Sequence, residues 1–195
     1  PNADEISFAQ THYGPLATAS VSVRKGVEDA LKGNAKVLYA KGCELVDENW
    51  PDSEIFPSEP TKEELRQMNE AVKLARKADA VIAVLGGGQR TCGENKSRTS
   101  LDLPGHQELL LKKLAATGKP VVLVLINGRP LSINWAAEHI PAILEAWYPG
   151  SHGGTAVADV IFGDYNPGGK LTVTFPRTVG QIPFNFPCKP NSQVD

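Results

Sequence analysis

The sequence predicts an α/β fold: a mostly parallel, doubly wound sheet between helices, an α/β sandwich, with an antiparallel edge strand near the C-terminus. Three observations predict it. Apolar runs of strand length alternate with segments of helical period, the signature of right-handed βαβ units. Two of those runs, 80–85 and 121–126, are apolar at every position, which means burial on both faces, as in parallel strands covered by helices. The link before the last apolar run, 171–175, is too short for a parallel crossover of about a dozen residues, so that run is expected to return antiparallel.

The elements follow in order. Residues 1–20 read as a loop ending at Ser20 or Ser22, either of which can cap a helix over 21–32, where Val23, Val27, Ala30 and Leu31 recur at helical spacing. Gly33-Asn34 stops that helix before a short apolar strand, Val37-Leu38-Tyr39-Ala40. A proline-rich loop covers 41–60. Thr61 and Glu64 then form a capping box that opens a helix reaching Lys77. Strand 80–85, a glycine-rich loop over 86–105, helix 106–117, strand 121–126, helix 131–138, strand 142–147 and helix 154–162 complete the alternation. The turn-rich segment 164–169 precedes the final run. An α/β chain usually opens on an apolar strand, and this one opens in the loop that would follow it, so a first strand is expected upstream of Pro1.

Composition narrows the function classes. A length of 195 residues suits one domain. Lys and Arg number 20 against 22 Asp and Glu, and a net charge of −2 provides no basic field for nucleic acid. No apolar run approaches the roughly 18 residues of a membrane span. Cys43, Cys92 and Cys188 are odd in number and far apart, which fits neither a disulfide framework nor a CxxC metal site. His12, His106, His139 and His152 show no ligand spacing with them.

Chemistry in open α/β sheets sits beyond the carboxyl ends of the strands. The longest loop there, 86–105, is glycine-rich, yet Gly88 and Gly93 are followed by Glu94-Asn95 where a phosphate loop needs Lys-Ser/Thr, and the GxGxxG spacing fails at Thr91. Ser151-His152 lacks the glycine of a nucleophile elbow, since Pro149 stands two residues before the serine. Glu94 is the remaining chemical group; taken alone it reads equally as a solvated surface glutamate. Trp147, Tyr148 and Tyr13 lie at the same edge, where an aromatic ring can stack on a sugar or serve core packing.

Several motifs occur in a specific order: Pro1-Asn2-Ala3-Asp4; Lys36-Val37-Leu38-Tyr39-Ala40-Lys41-Gly42-Cys43; Gly93-Glu94 with Ser97-Arg98-Thr99; Asn127-Gly128-Arg129-Pro130; Trp147-Tyr148-Pro149-Gly150; and Phe162-Gly163-Asp164-Tyr165-Asn166-Pro167-Gly168-Gly169. In this order the chain resembles the second, α/β-sandwich domain of family 3 glycoside hydrolases, of β-glucosidase and β-xylosidase type. The resemblance implies retaining, exo-acting hydrolysis of terminal β-linked sugars. An aspartate on a preceding barrel domain attacks the anomeric carbon, and a glutamate protonates the leaving oxygen and then activates water.

Glu94 occupies the position of that acid/base, just before Arg98-Thr99. Tyr13 matches a position where an aromatic lines the leaving-group side, and Arg98 is the second substrate-side candidate, as a loop anchor or electrostatic partner of Glu94. The resemblance further implies that 1–195 is one domain lacking its first strand and the nucleophile's barrel, and that it is inactive in isolation. The expected partners are a β-glycoside or oligosaccharide and the enzyme's own barrel domain, with no cofactor, metal, nucleic acid or membrane; the oligomeric state stays open, a homodimer included. The compartment expected by analogy is the periplasm or the exterior. The alternative is a non-catalytic carbohydrate-binding α/β module, in which Glu94 only hydrogen-bonds a hydroxyl.

Overall fold

A computed structural model of the chain describes residues 1–6 and 19–182. Three parallel strands, β1 (Val81–Gly86), β2 (Val121–Ile126) and β3 (Ala142–Glu145), form a sheet in the order β1-β2-β3. Val81 stands opposite Val121 and Val122 opposite Ala142. The helices are α1 (Val23–Ala30), α2 (Lys62–Lys77), α3 (Gln107–Ala115), α4 (Asn134–His139) and α5 (Gly153–Phe162).

Local chemistry sets the helix ends. Ser22 caps α1 by accepting the Lys25 N–H at 3.1 Å. Thr61 and Glu64 cap α2 reciprocally: the Glu64 N–H donates to Thr61 Oγ1 at 3.2 Å and the Thr61 N–H to Glu64 Oε2 at 2.9 Å. Gly163, at φ +85°, closes α5 in the left-handed region.

Strand alternation sends side chains to two cores. Ala83, Leu85, Leu123 and Leu125 face one side, under Met68, Ala71 and Ala75 of α2 and Leu110, Leu111 and Leu114 of α3. Val84, Val124 and Ile126 face the other, under Val23 and Val27 of α1 and Val157 and Ala158 of α5. The continuous apolar runs are thus explained by helices on both faces. Helices α1 and α5 touch backbone to backbone: a Cβ on Gly26 would lie 2.1 Å from the Gly154 carbonyl oxygen, and one on Gly154 would lie 2.0 Å from that of Ser22. No larger residue fits at either position.

Two expected strands are absent. Residues 37–40 are unpaired; Val37 packs on one core and Ala40 on the other, while Leu38 and Tyr39 stay half-exposed. The segment runs beside β1 across a cavity lined by Leu38, Ala40, Ile82 and Val84, and the two backbones make no ladder hydrogen bonds. The expected antiparallel edge strand over 171–175 is likewise not formed, and every strand pairing among the described residues is parallel. Leu171 and Val173 are exposed, and Phe175 lies against the Trp147 ring, with centroids 5.9 Å apart, instead of extending the sheet beyond the four-residue β3.

The carboxyl ends of all three strands meet at one edge. Asn2, fully buried, ties that edge together by donating to the carbonyls of Gly87 at 3.0 Å and Ile126 at 3.3 Å.

Candidate functional site

The loop leaving β1 is anchored at its root by Gln107, which has no exposed surface. Its Oε1 accepts the Gly86 N–H, and its Nε2 donates to the carbonyls of Gly86 and Leu45, all at 2.8 Å. One amide therefore joins β1, the first turn of α3 and the 41–60 loop. Thr91, also buried, folds the next turn by accepting the Gly88 N–H at 2.9 Å and donating to the Gly88 carbonyl at 3.2 Å.

Glu94 follows on a tight turn. The Lys96 N–H donates to the Gly93 carbonyl at 3.2 Å, and Asn95 takes the positive φ of +59° that the third residue of such a turn requires. The Glu94 side chain is exposed and has no hydrogen-bond or ion-pair partner among the described residues. Its backbone, however, is bracketed, since Nη2 of Arg129 donates to the Thr91 carbonyl at 3.1 Å and to the Lys96 carbonyl at 2.5 Å.

Arg98 lies four residues beyond Glu94, and its side chain is only 3% exposed. Its partner is Glu54, 5% exposed, from the short 3-10 turn Asp52–Glu54 in the 41–60 loop. Arg98 Nε pairs with Glu54 Oε1, while Nη2 donates to the Asp102 carbonyl at 2.9 Å. The guanidinium carbon sits 5.2 Å from the centroid of the Trp50 ring. Glu54 Oε2 accepts from the Thr99 N–H at 2.9 Å and Oγ1 at 3.0 Å. Burial pushes the Glu54 carboxyl up, but the Thr99 N–H and the Arg98 guanidinium outweigh it and hold the pKa below its ordinary value. The charge on Arg98 is thus engaged by Glu54, not by Glu94. Tyr13 lies outside the described residues.

A second tie joins the same two loops. His106 places Nδ1 3.0 Å from Glu64 Oε1 and Nε2 2.9 Å from the Ser58 carbonyl, so both ring nitrogens face acceptors. Burial lowers the His106 pKa, and the Ser58 carbonyl and Glu64 carboxylate outweigh it, leaving it raised. Gly105 permits the contact: at φ +57°, its missing Cβ would lie 2.9 Å from the Asp47 nitrogen.

At the end of β3, Trp147 adopts φ +50° and donates its N–H to Glu145 Oε1 at 2.9 Å, while the Asn127 N–H donates to the Trp147 carbonyl at 3.2 Å. Glu145 has no cation beside it among the described residues, and burial pushes its carboxyl up to about 7, against the Trp147 N–H and the Asn127 amide. Trp147 packs on Phe175, and Tyr148 joins the α1/α5 core. No group of three His, Cys, Asp or Glu among the described residues is arranged to hold a metal ion. No helix among them is long and apolar enough to cross a membrane.

The sequence singled out Glu94 and Arg98, and the structure brings them onto one loop without joining them. Glu54, Arg129 and Gln107 were not singled out as site residues. Glu54 has no local signal, because its partner is 44 residues away.

The chemistry available here is that of a carboxyl group presented on a turn whose flanks are held by Arg129, with no partner for it among the described residues. Comparison with known proteins identifies the family. The profile for the glycosyl hydrolase family 3 C-terminal domain matches residues 1–194. A beta-xylosidase of Formosa agariphila is 47% identical over 179 residues, covering 92% of this chain and 23% of that protein. A periplasmic beta-glucosidase of Salmonella typhimurium is 46% identical over 176 residues, covering 88% of this chain and 23% of its own length. The solved structure of a b-glucosidase from Erythrobacter marinus superposes with a TM-score of 0.76 at 36% identity, covering 94% of this chain and 26% of that one. The chain thus spans about a quarter of the length of these relatives. By its whole-length match and by these identities, the chain belongs to glycosyl hydrolase family 3 as a C-terminal domain.

Proposed function

We propose that this domain serves a retaining, exo-acting β-glycosidase, a β-glucosidase first and a β-xylosidase second, and that Glu94 is its general acid/base. A barrel domain of the same polypeptide supplies the aspartate nucleophile, and residues 1–195 alone do not turn over substrate. The periplasm or the exterior is the compartment that suits such an enzyme.

One observation carries the reading: Glu94 projects unpaired from a turn whose flanking backbone is pinned by Arg129, at the edge where the strands end. An acid/base must hold a proton before the glycosidic bond breaks and accept one when water attacks. Both demands favour a carboxyl group that is exposed in the open enzyme and desolvated only when substrate and the second domain cover it. Retention needs the second carboxylate roughly 5–5.5 Å away, which is why the domain alone is inactive. Arg98 contributes by fixing the loop rather than by facing Glu94.

The test is Glu94→Ala in the full-length enzyme with an activated aryl β-glucoside and an aryl β-xyloside. Turnover falls by about 10²–10⁴-fold. Azide, which needs no base to attack a glycosyl-enzyme, restores it and yields the glycosyl azide. Unchanged activity without azide returns Glu94 to an ordinary surface residue.

A further inference from the structure

We infer that Glu54, which lies in none of the catalytic motifs, is a positioning residue that sets where the Glu94 turn stands; the inference rests on the reading of Glu94 as acid/base.

The geometry is unusual for a surface loop. Both oxygens of Glu54 are used, Oε1 by Arg98 Nε and Oε2 by the Thr99 N–H and hydroxyl, and both partners of the ion pair are almost wholly buried. A buried pair gives little net stability, because desolvating two charges offsets most of their attraction. What it does give is registry. Arg98 presents a planar fork, and with Nε on Glu54, Nη2 on the Asp102 carbonyl and its face toward Trp50, no other placement of residues 98–102 satisfies all three contacts.

That segment is the exit of the Glu94 turn. Arg98 lies four residues beyond Glu94, so fixing it anchors the stretch of chain that leaves the turn. Arg129 holds the other flank through the Thr91 and Lys96 carbonyls. Two arginines thus hold the two ends of the turn, and Glu54 takes the charge of the one at its exit. Misplacing an acid by about 1 Å costs on the order of 10²-fold in rate, so loss of Glu54 should weaken proton donation in particular.

That expectation separates positioning from mere structure. A leaving group that departs without a proton, 2,4-dinitrophenolate, does not need a placed acid in the glycosylation step, whereas a poor leaving group such as unsubstituted phenolate does. In the full-length enzyme, Glu54→Gln should lower kcat/KM for the phenyl glycoside by roughly 10–100-fold while changing it for the dinitrophenyl glycoside by less than about threefold. Azide should accelerate turnover of the dinitrophenyl glycoside, as it does for Glu94→Ala. If Glu54→Gln does not give folded enzyme, Thr99→Val, which removes only the hydroxyl contact, must show the same selective loss at about 2–5-fold.

Equal loss on both substrates, or no loss, overturns the inference. Glu94→Ala run in parallel separates the two ideas. If that variant is fully active, the reading of Glu94 fails and the Glu54 inference falls with it. If it shows the azide-rescued loss while Glu54→Gln lacks the selective pattern, only the role of Glu54 fails.

Discussion

The root and the tip of the 86–105 loop are held in opposite ways. At the root, Gln107 satisfies three backbone groups, two of them buried, and Glu54 and Arg98 neutralise each other with little side-chain exposure. At the tip, Glu94 is exposed and unpartnered on a two-residue turn. The difference teaches how one loop can be rigid at one end and open to solvent at the other. The root fixes where the loop leaves the sheet, and the tip leaves the Glu94 carboxyl group in water.

The strongest way to break this contrast is at the root. Gln107→Leu keeps a similar volume but leaves the Gly86 N–H and the Gly86 and Leu45 carbonyls without their partner. Each orphaned buried group costs about 1–3 kcal/mol, so a loss on the order of 3–5 kcal/mol is expected in denaturant unfolding of the full-length enzyme. A loss below about 0.5 kcal/mol would mean that Gln107 does not determine the root, since that is the range of inert surface changes.

The second tie at the root is sensitive to pH. His106 binds its proton more tightly in the folded state, so its contribution is complete below its unfolded pKa of 6.5 and fades as pH rises through the raised folded value. Glu64 behaves oppositely. Burial pushes its carboxyl up, but His106 and the Thr61 N–H hold it below 4.5, so its contribution is complete above pH 4.5 and is lost as pH falls through the lowered value. The pair is therefore most stabilising between those two unfolded values. His106→Ala should cost about 1–2 kcal/mol near pH 5.5 and less above neutrality; a cost that does not vary with pH would remove the charge from the account.

These particulars also show what can be read in a sequence. The capping box at Thr61, the strand at 121–126 and the helix ending before Gly163 depend on neighbours in the chain, and they stand where periodicity and capping chemistry put them. The strands expected at 37–40 and 171–175 depend on a partner backbone that sequence cannot supply, and they did not form. The candidate site divides in the same way. Glu94 could be nominated from the sequence because its loop, its glycine and the following Arg98-Thr99 are contiguous, and its role stays a proposal. Glu54 was not legible, because a buried carboxylate is chosen by a guanidinium 44 residues away and nothing local distinguishes it from Glu48 or Glu59.

Glu145 sharpens the comparison from another strand end, for it is a half-buried carboxyl that lacks, among the described residues, the cation that Glu54 has. Its pKa is pushed up to about 7 by burial. The folded state therefore holds a proton that the unfolded state releases, and stability declines as pH rises from about 4.5 to about 7. Glu145→Gln should leave stability at pH 4 nearly unchanged and raise it at pH 8 by about 1 kcal/mol, a figure reduced for the carboxyl group's partial contact with water. A destabilised Glu145→Gln at pH 8 would show that the ionised carboxylate is favoured where it stands, as Glu54 is.

The smallest effect is expected at the tip. Asn95 holds φ +59°, a conformation that costs a residue with an ordinary side chain about 1–2 kcal/mol. That strain counts toward global stability only if the turn unfolds together with the root. With Glu94 free and only two Arg129 contacts at the flanks, the turn can open by itself, so Asn95→Ala should shift global unfolding by less than about 0.5 kcal/mol. The strain should appear instead as faster exchange of the Lys96 amide, with the Gly86 and Gly87 amides protected as before. If Asn95→Ala destabilises the whole domain by the full cost of the strained residue, tip and root are one cooperative unit, and the carboxyl group is held as firmly as the arginines around it.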